Sequence, residues 1–279
     1  MLGGLVSNLR IIYANLADQA VLSASSTAGG LGVANLRTER KGEPHRSVST
    51  SVTFTLTWSA TQVLSGVAIP ACNLTPTATM RVQAWDAEAG GVQLLDTGVV
   101  AACPGQTVTS ADWGQPVTAA LFSFAASKVA TWFTETTGVR RLQIDLADSG
   151  NPAGFLDCSR LVVGRYWSPS KNASYGARFG FDEGSEVTRT DAGGICVDSS
   201  PLLESMSFSL DEMTMDDRTE ISRITRIAGG HRPILVALVP EGADAGLIQE
   251  TMIYGVRKLS LVSMLSPGIW QNNISIEGW

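Results

Sequence analysis

The sequence predicts a mainly β protein built from two β-sandwich domains. Three observations carry that expectation. Short runs alternate apolar and polar residues with the period of a half-buried strand: Val52, Phe54, Leu56 and Trp58 against Thr53, Thr55 and Thr57, and Leu142, Ile144 and Leu146 against Arg141, Gln143 and Asp145. Turn-forming clusters such as Gly90-Gly91 and Gly150 to Pro152 separate the runs at short intervals. The texture then changes after Trp167-Ser168-Pro169, where the proline stops a ladder. The expected domains are 1–169 and 170–279.

In chain order, Tyr13 to Leu22 can be read as a first strand, and Ser23 to Gly32 as a loop. Leu64 to Ile69 is a continuous apolar run, as in a strand buried on both faces. Met80, Val82 and Ala84 alternate with Arg81 and Gln83, and Val92 to Leu95 follows a glycine turn. Val117 to Phe124, Val129 to Phe133 and Leu161 to Val163 complete the strands expected of the first domain.

The second domain opens on a segment rich in Gly and aromatics, Asn172 to Gly184. Glu186 to Thr190 is a candidate strand, and Met206, Phe208 and Leu210 alternate with serines. One helix is expected, Asp217 to Ala228. Ile221, Ile224 and Ala228 fall on one face, and Arg218, Arg223 and Arg226 lie largely off it. Asp216 and Asp217 suit its positive end, and Gly229-Gly230 stops it. Ile234 to Val239, Leu259 to Met264 and Ile269 to Ile276 are the last expected strands.

The 279 residues are 44% hydrophobic and 16% charged, enough apolar material to bury cores. A net charge of -6 argues against a nucleic-acid grip, which needs clustered Lys and Arg. The first twenty residues lack the basic flank of a signal peptide, and no apolar run reaches membrane-spanning length, so no membrane insertion is expected. Cys72, Cys103, Cys158 and Cys196 are widely spaced without a CxxC, which favours buried free thiols over a disulfide framework or zinc site.

Catalytic chemistry finds little to stand on. His45 and His231 each sit alone among loop residues, without a second ligand at metal spacing. Gly30-Leu31-Gly32 begins like a dinucleotide fingerprint, but Asn35 stands where the third glycine belongs. Asp211-Glu212 and Asp216-Asp217 precede the helix, where capping is their ordinary role. Asp182-Glu183-Gly184 reads as a solvated turn. The seven tryptophans are scattered and read as packing residues. No catalytic, metal or cofactor-binding residue is expected, and no cofactor. The chain reads as a structural or binding protein.

Two resemblances sharpen this. Ser47 to Asp86 followed by Arg140 to Gly164 resembles the discoidin, or galactose-binding-like, jelly roll. The carrying runs are VTFTLTWSA, LSGVAIPACNL, MRVQAWD and RRLQIDLAD with GFLDCSRLVVG. That resemblance implies a sandwich over roughly the first 165 residues, whose end loops bind glycans in many members. The whole chain also resembles tail proteins of long-tailed bacteriophages and prophages. This rests on Ala14-Asn15-Leu16, Ala34-Asn35-Leu36 before His45-Arg46-Ser47, Cys72-Asn73-Leu74, Ser159 to Gly164, Trp167 to Gly176 and the closing Tyr254-Gly255. It implies a tail-tube-like second sandwich and a structural role in the tail tip, foremost as the distal tail protein. The partners it implies are a homo-oligomeric, hexameric ring, the tail tube protein, the baseplate hub and the tape measure protein. It implies a virion protein made in the bacterial host cytoplasm. The rival expectation is a baseplate module that binds a receptor or cell-surface glycan through the jelly-roll loops; an esterase or glycosidase stands well behind both. In a ring, Arg218, Arg223 and Arg226 are the candidate interface, facing acidic surface such as Asp182-Glu183 or Asp211-Glu212 on a neighbour.

Overall fold

The computed structural model describes residues 8–103, 127–189, 193–200, 202–242 and 244–279. Val117 to Phe124, expected as a strand, Trp113 and Thr190 lie outside the described residues. The chain is mainly β and forms two compact units. The first is Met1–Ser168 with Leu235–Met252, and the second is Pro169–Ile234 with Ile253–Trp279. The chain thus leaves the first unit between Ser168 and Pro169 but returns to it for a later segment. A reading in chain order does not anticipate that return.

The first unit is a jelly-roll sandwich. Its strands in order are β1 (Arg10–Ile12), β2 (Val21–Ala24), β3 (His45–Arg46), β4 (Ser51–Cys72), β5 (Thr79–Trp85), β6 (Gln93–Asp96), β7 (Val100–Ala101), β8 (Ser127–Ala147), β9 (Asp157–Cys158) and β10 (Val162–Gly164). The main sheet runs β3-β9-β4-β8-β5-β6, with β2 and β10 on β4 and β7 on β5. Two long antiparallel strands organise it, from Ser51↔Ala147 to Cys72↔Ser127. Each was expected as two strands. In β4 the alternating half ends at Trp58, Ser59 to Thr61 are exposed, and the register shifts twice before the fully buried half begins at Leu64. Phe54, Leu56, Leu64, Ile69, Met80, Leu142 and Ile144 are all fully buried in one apolar core, each worth roughly 1.5–3 kcal/mol of burial.

Tyr13 to Leu22 is not a strand. Asn15 caps a 3-10 turn at Leu16–Gln19, its side chain accepting from the Ala17 amide, and β2 begins only at Val21. The polar segment before β3 likewise contains a 3-10 turn, Val33–Arg37. Both turns are tied down by Arg160, whose buried guanidinium donates to Asp18 at 2.7 and 2.9 Å and to Leu36 O at 3.4 Å, and pairs with Glu39 just beyond the second turn at 3.0 Å.

The later strands are β11 (Arg178–Glu183), β12 (Glu186–Arg189), β13 (Ile195–Asp198), β14 (Leu202–Met213), β15 (Pro233–Ala237), β16 (Met252–Lys258), β17 (Val262–Ser266) and β18 (Ile269–Gly278). Within the first unit, Leu235 to Ala237 of β15 pair with β1, which satisfies an apolar segment expected as buried. A second helix, not expected, follows there: α2 (Ala245–Glu250), capped by Asp244. It is too short to show helical periodicity in sequence.

The second unit carries β16-β18-β14-β11, with β17 also on β18. Leu259 to Met264 was expected as one strand, but β16 ends at Lys258 and β17 starts at Val262, with Leu259, Ser260 and Leu261 between them. The expected helix is present as α1 (Met215–Ala228). Thr214 and Asp217 form a capping box: Asp217 N donates to Thr214 Oγ1 at 3.2 Å, and Thr214 N donates to Asp217 Oδ2 at 3.0 Å. Burial alone would raise the Asp217 pKa, but these bonds and that from Ser170 N hold it below the ordinary carboxylate value. Ile221, Ile224 and Ala228 are the buried face of α1, which lies against β14 and β18. Gly255 and Gly278 face each other across β16 and β18. A Cβ on Gly255 would sit 2.1 Å from the Glu277 carbonyl oxygen, so the glycine of the closing Tyr254-Gly255 pair is a packing requirement.

Candidate assembly surface

The structure sorts the expected interface residues differently from the sequence. On α1, the Arg218 guanidinium lies 4.6 Å from the Trp270 ring centroid, a cation–π contact within the unit. Arg223 is exposed and 3.8 Å from Glu220, one turn away. Arg226 is exposed in the last turn, where a cation suits the helix dipole. Of the proposed acidic counterparts, Asp211 accepts from Gln271 Nε2 at 2.7 Å and Glu212 pairs with Lys171. Asp182 and Glu183 are exposed in a strand rather than a turn, and among the described residues no ion pair involves either.

The second unit exposes much apolar surface. β11 is the edge strand of its sheet, and all six of its residues are exposed. It runs on into the β12–β13 pair, a separate two-stranded sheet with Val187↔Val197 in register. Phe179, Phe181, Val187, Ile195, Val197 and Leu202 are between 44% and 65% exposed. An isolated hairpin of this kind is marginal in water without a packed face. At the opposite edge, Leu261, Met264 and Leu265 flank or lie in β17 and are 90%, 61% and 56% exposed. At the first edge, residues 178–182 line an open groove of about 310 Å³ with Ser205, Met206, Ser207 and Ser275.

Sequence reasoning marked residues 172–184 as Gly- and aromatic-rich but did not find this edge. Strand periodicity is legible only where burial alternates, and here nothing is buried. The thiols also divide: Cys72, Cys103 and Cys158 are buried and free, whereas Cys196 on β13 is exposed, against the expectation that all four are buried.

The first unit offers a smaller feature. The Arg141 guanidinium lies 4.2 Å from the ring centroid of its cross-strand partner Trp85, and Arg140 pairs with Glu88 close by. His45 is not a loop residue. It is fully buried in β3, with Nε2 3.1 Å from Ser26 O and the ring edge-on to Phe54. Among the described residues no group of three His, Cys, Asp or Glu is placed to hold a metal ion. No described helix is long and apolar enough to cross a membrane.

No family model matches the chain, and no curated protein matches it. Solved structures do resemble it in part. A chitosan-binding module of a chitosanase/glucanase from Paenibacillus sp. IK-5 is 12% identical, with a TM-score of 0.38 over 55% of this chain and 99% of that one. A fucose-binding module from Streptococcus pneumoniae is 11% identical, TM-score 0.36, over 55% of this chain and 95% of that one. The CBM32 module of AlyQ, solved with 4,5-unsaturated mannuronic acid, is 13% identical, TM-score 0.33, over 51% and 92%. These likenesses span about half of this chain, and they assign it no ligand.

Proposed function

We propose that the protein is a structural subunit that works as part of an assembly. In this reading the second unit makes the contacts and the first is carried as a jelly-roll module. The observation that carries it is the exposed apolar edge and hairpin from Phe179 to Leu202. Contiguous apolar surface of this kind marks interaction sites, and an open strand edge is a template for pairing. The narrower placement, a distal tail ring in contact with tail tube, hub and tape measure proteins, rests on the sequence resemblance alone. Sedimentation velocity of the full chain over a wide concentration range tests the general reading. A concentration-dependent shift to larger species supports it; a single monomer throughout removes self-assembly. Labelling of the subunit on intact phage particles tests the narrower one.

A second reading is recognition of a cell-surface glycan by the first unit. It is favoured by the Trp85–Arg141 pair with Glu88 beside it, an aromatic ring close to polar groups such as ligand sites use. Chitosan oligosaccharides and fucose are suitable probes. Quenching of tryptophan fluorescence that disappears in Trp85→Ala supports this reading; no response to either sugar counts against it.

A further inference from the structure

β11 reads Arg178-Phe179-Gly180-Phe181-Asp182, a sequence that complements itself when reversed. We infer that the open edge of β11 pairs with β11 of a second copy, antiparallel, across a two-fold axis through Gly180. The inference rests on the assembly reading above and names its contact.

In that register Gly180 faces Gly180, each Phe179 faces a Phe181, and each Arg178 faces an Asp182. Successive side chains of a strand point to opposite faces. The two aromatic pairs therefore fall on one face of the joined sheet and the two ion pairs on the other. Opposite charges and aromatic pairs placed directly across an antiparallel ladder each contribute about 0.2–1 kcal/mol. No other placement of this strand against itself meets all four contacts at once. A shift of one residue flips every side chain to the wrong face, and a shift of two leaves both an Arg and an Asp unmatched.

The rest of the surroundings agree. β14 occupies only one side of β11, with Phe179↔Met206 and Gly180↔Ser205 in register, so the other side is open among the described residues. Arg178, Asp182 and the glycine between them have no described ion pair to displace. A Cβ built on Gly180 meets nothing within 4 Å, so the sheet face above that glycine is open among the described residues. Phe179 and Phe181, 44% and 65% exposed among the described residues, gain cover from a partner. A two-fold contact is self-complementary and closes on itself. A ring would need a second, head-to-tail contact, for which the opposite edge at β17 remains open.

A charge-reversal cycle tests this. Arg178→Asp places two acids opposite each other at both ends of the contact, and Asp182→Arg does the same with two cations. Each is expected to weaken dimerisation of the full chain, measured by sedimentation equilibrium, about tenfold or more. The double variant, Arg178→Asp with Asp182→Arg, restores opposite charges on every facing pair and is expected to recover most of the loss. Circular dichroism and thermal unfolding establish that all three fold. Self-association that none of the variants alters overturns this contact but leaves the assembly reading standing. Loss in the double variant equal to the sum of the singles overturns the two-fold register. A wild-type chain that stays monomeric at every concentration reached overturns the contact and self-assembly together.

Discussion

Arg257 Nη2 donates to Asn272 Oδ1 at 2.9 Å, and the guanidinium is held by neutral groups only: Thr225, Ser260 and Asn272 among the described residues. It is 2% exposed, and its Nε atom has no partner. Burial lowers its pKa, the direction expected for a cation without a carboxylate beside it. A buried charge held this way adds little stability for its cost. Arg257→Met should therefore fall within about 1 kcal/mol of wild type in urea unfolding, on either side. Asn272→Leu should cost about 2 kcal/mol or more, because it strands the guanidinium. Equal losses in the two would show that the arginine is a net stabiliser.

The discontinuous first unit makes a prediction about fragments. Lys128 N donates to Gln249 Oε1 at 2.9 Å and Lys128 Nζ to Met252 O at 2.6 Å, both from the start of β8 to the returning segment. Residues 1–168 alone lack β15 and α2. They should bind a hydrophobic dye and unfold without a sharp transition. The same residues joined to 235–252 by a flexible linker should unfold cooperatively. Cooperative unfolding of 1–168 by itself would show that the returning segment is peripheral.

Thiol accessibility follows from burial. The reactive form is the thiolate, and burial opposes it. Cys158 is pushed up to about 12 by burial and by Asp157, and Cys72 is held well above its ordinary value by burial and by the neighbouring Cys158. A colorimetric disulfide reagent should label Cys196 quickly in the native protein, and Cys72, Cys103 and Cys158 only on unfolding. Cys196→Ser should abolish the fast phase. A fast phase that survives that substitution would contradict the burial of the other three.

His45 sets a pH dependence. Burial lowers its pKa from 6.5, against the opposing effects of Ser26 O and Asp157. Between the lowered folded value and 6.5, the unfolded chain binds a proton that the folded chain refuses. Its contribution to stability is therefore complete above about pH 6.5 and declines as the pH falls through that window. The urea midpoint should drop between about pH 7.5 and pH 5.5 more in wild type than in His45→Gln. Identical slopes would remove His45 as the cause.

How far the sequence could be read depended on burial. Val52 to Trp58 and Leu142 to Leu146 lie at the sheet centre, where one side chain in two is buried, and their alternation is visible. The union of the two halves of β4 was not legible, because exposed Ser59 to Thr61 look like a turn although the ladder resumes beyond them. The apolar face of α1 was legible from Ile221, Ile224 and Ala228. Its arginines were read as a free charged face, but Arg218 is engaged by Trp270, which is remote in sequence. The edge at Phe179 and Phe181 was least legible, since a surface completed by another molecule leaves no burial pattern within its own chain.

In the proposed assembly the second unit covers its open β11 edge by meeting another copy. Amide hydrogen exchange of the full chain, compared at low and high protein concentration, tests it most directly. Slower exchange in β11 is expected at high concentration, with β5 and α1 unchanged. Equal exchange in β11 at both concentrations, while larger species form, would place the contact elsewhere.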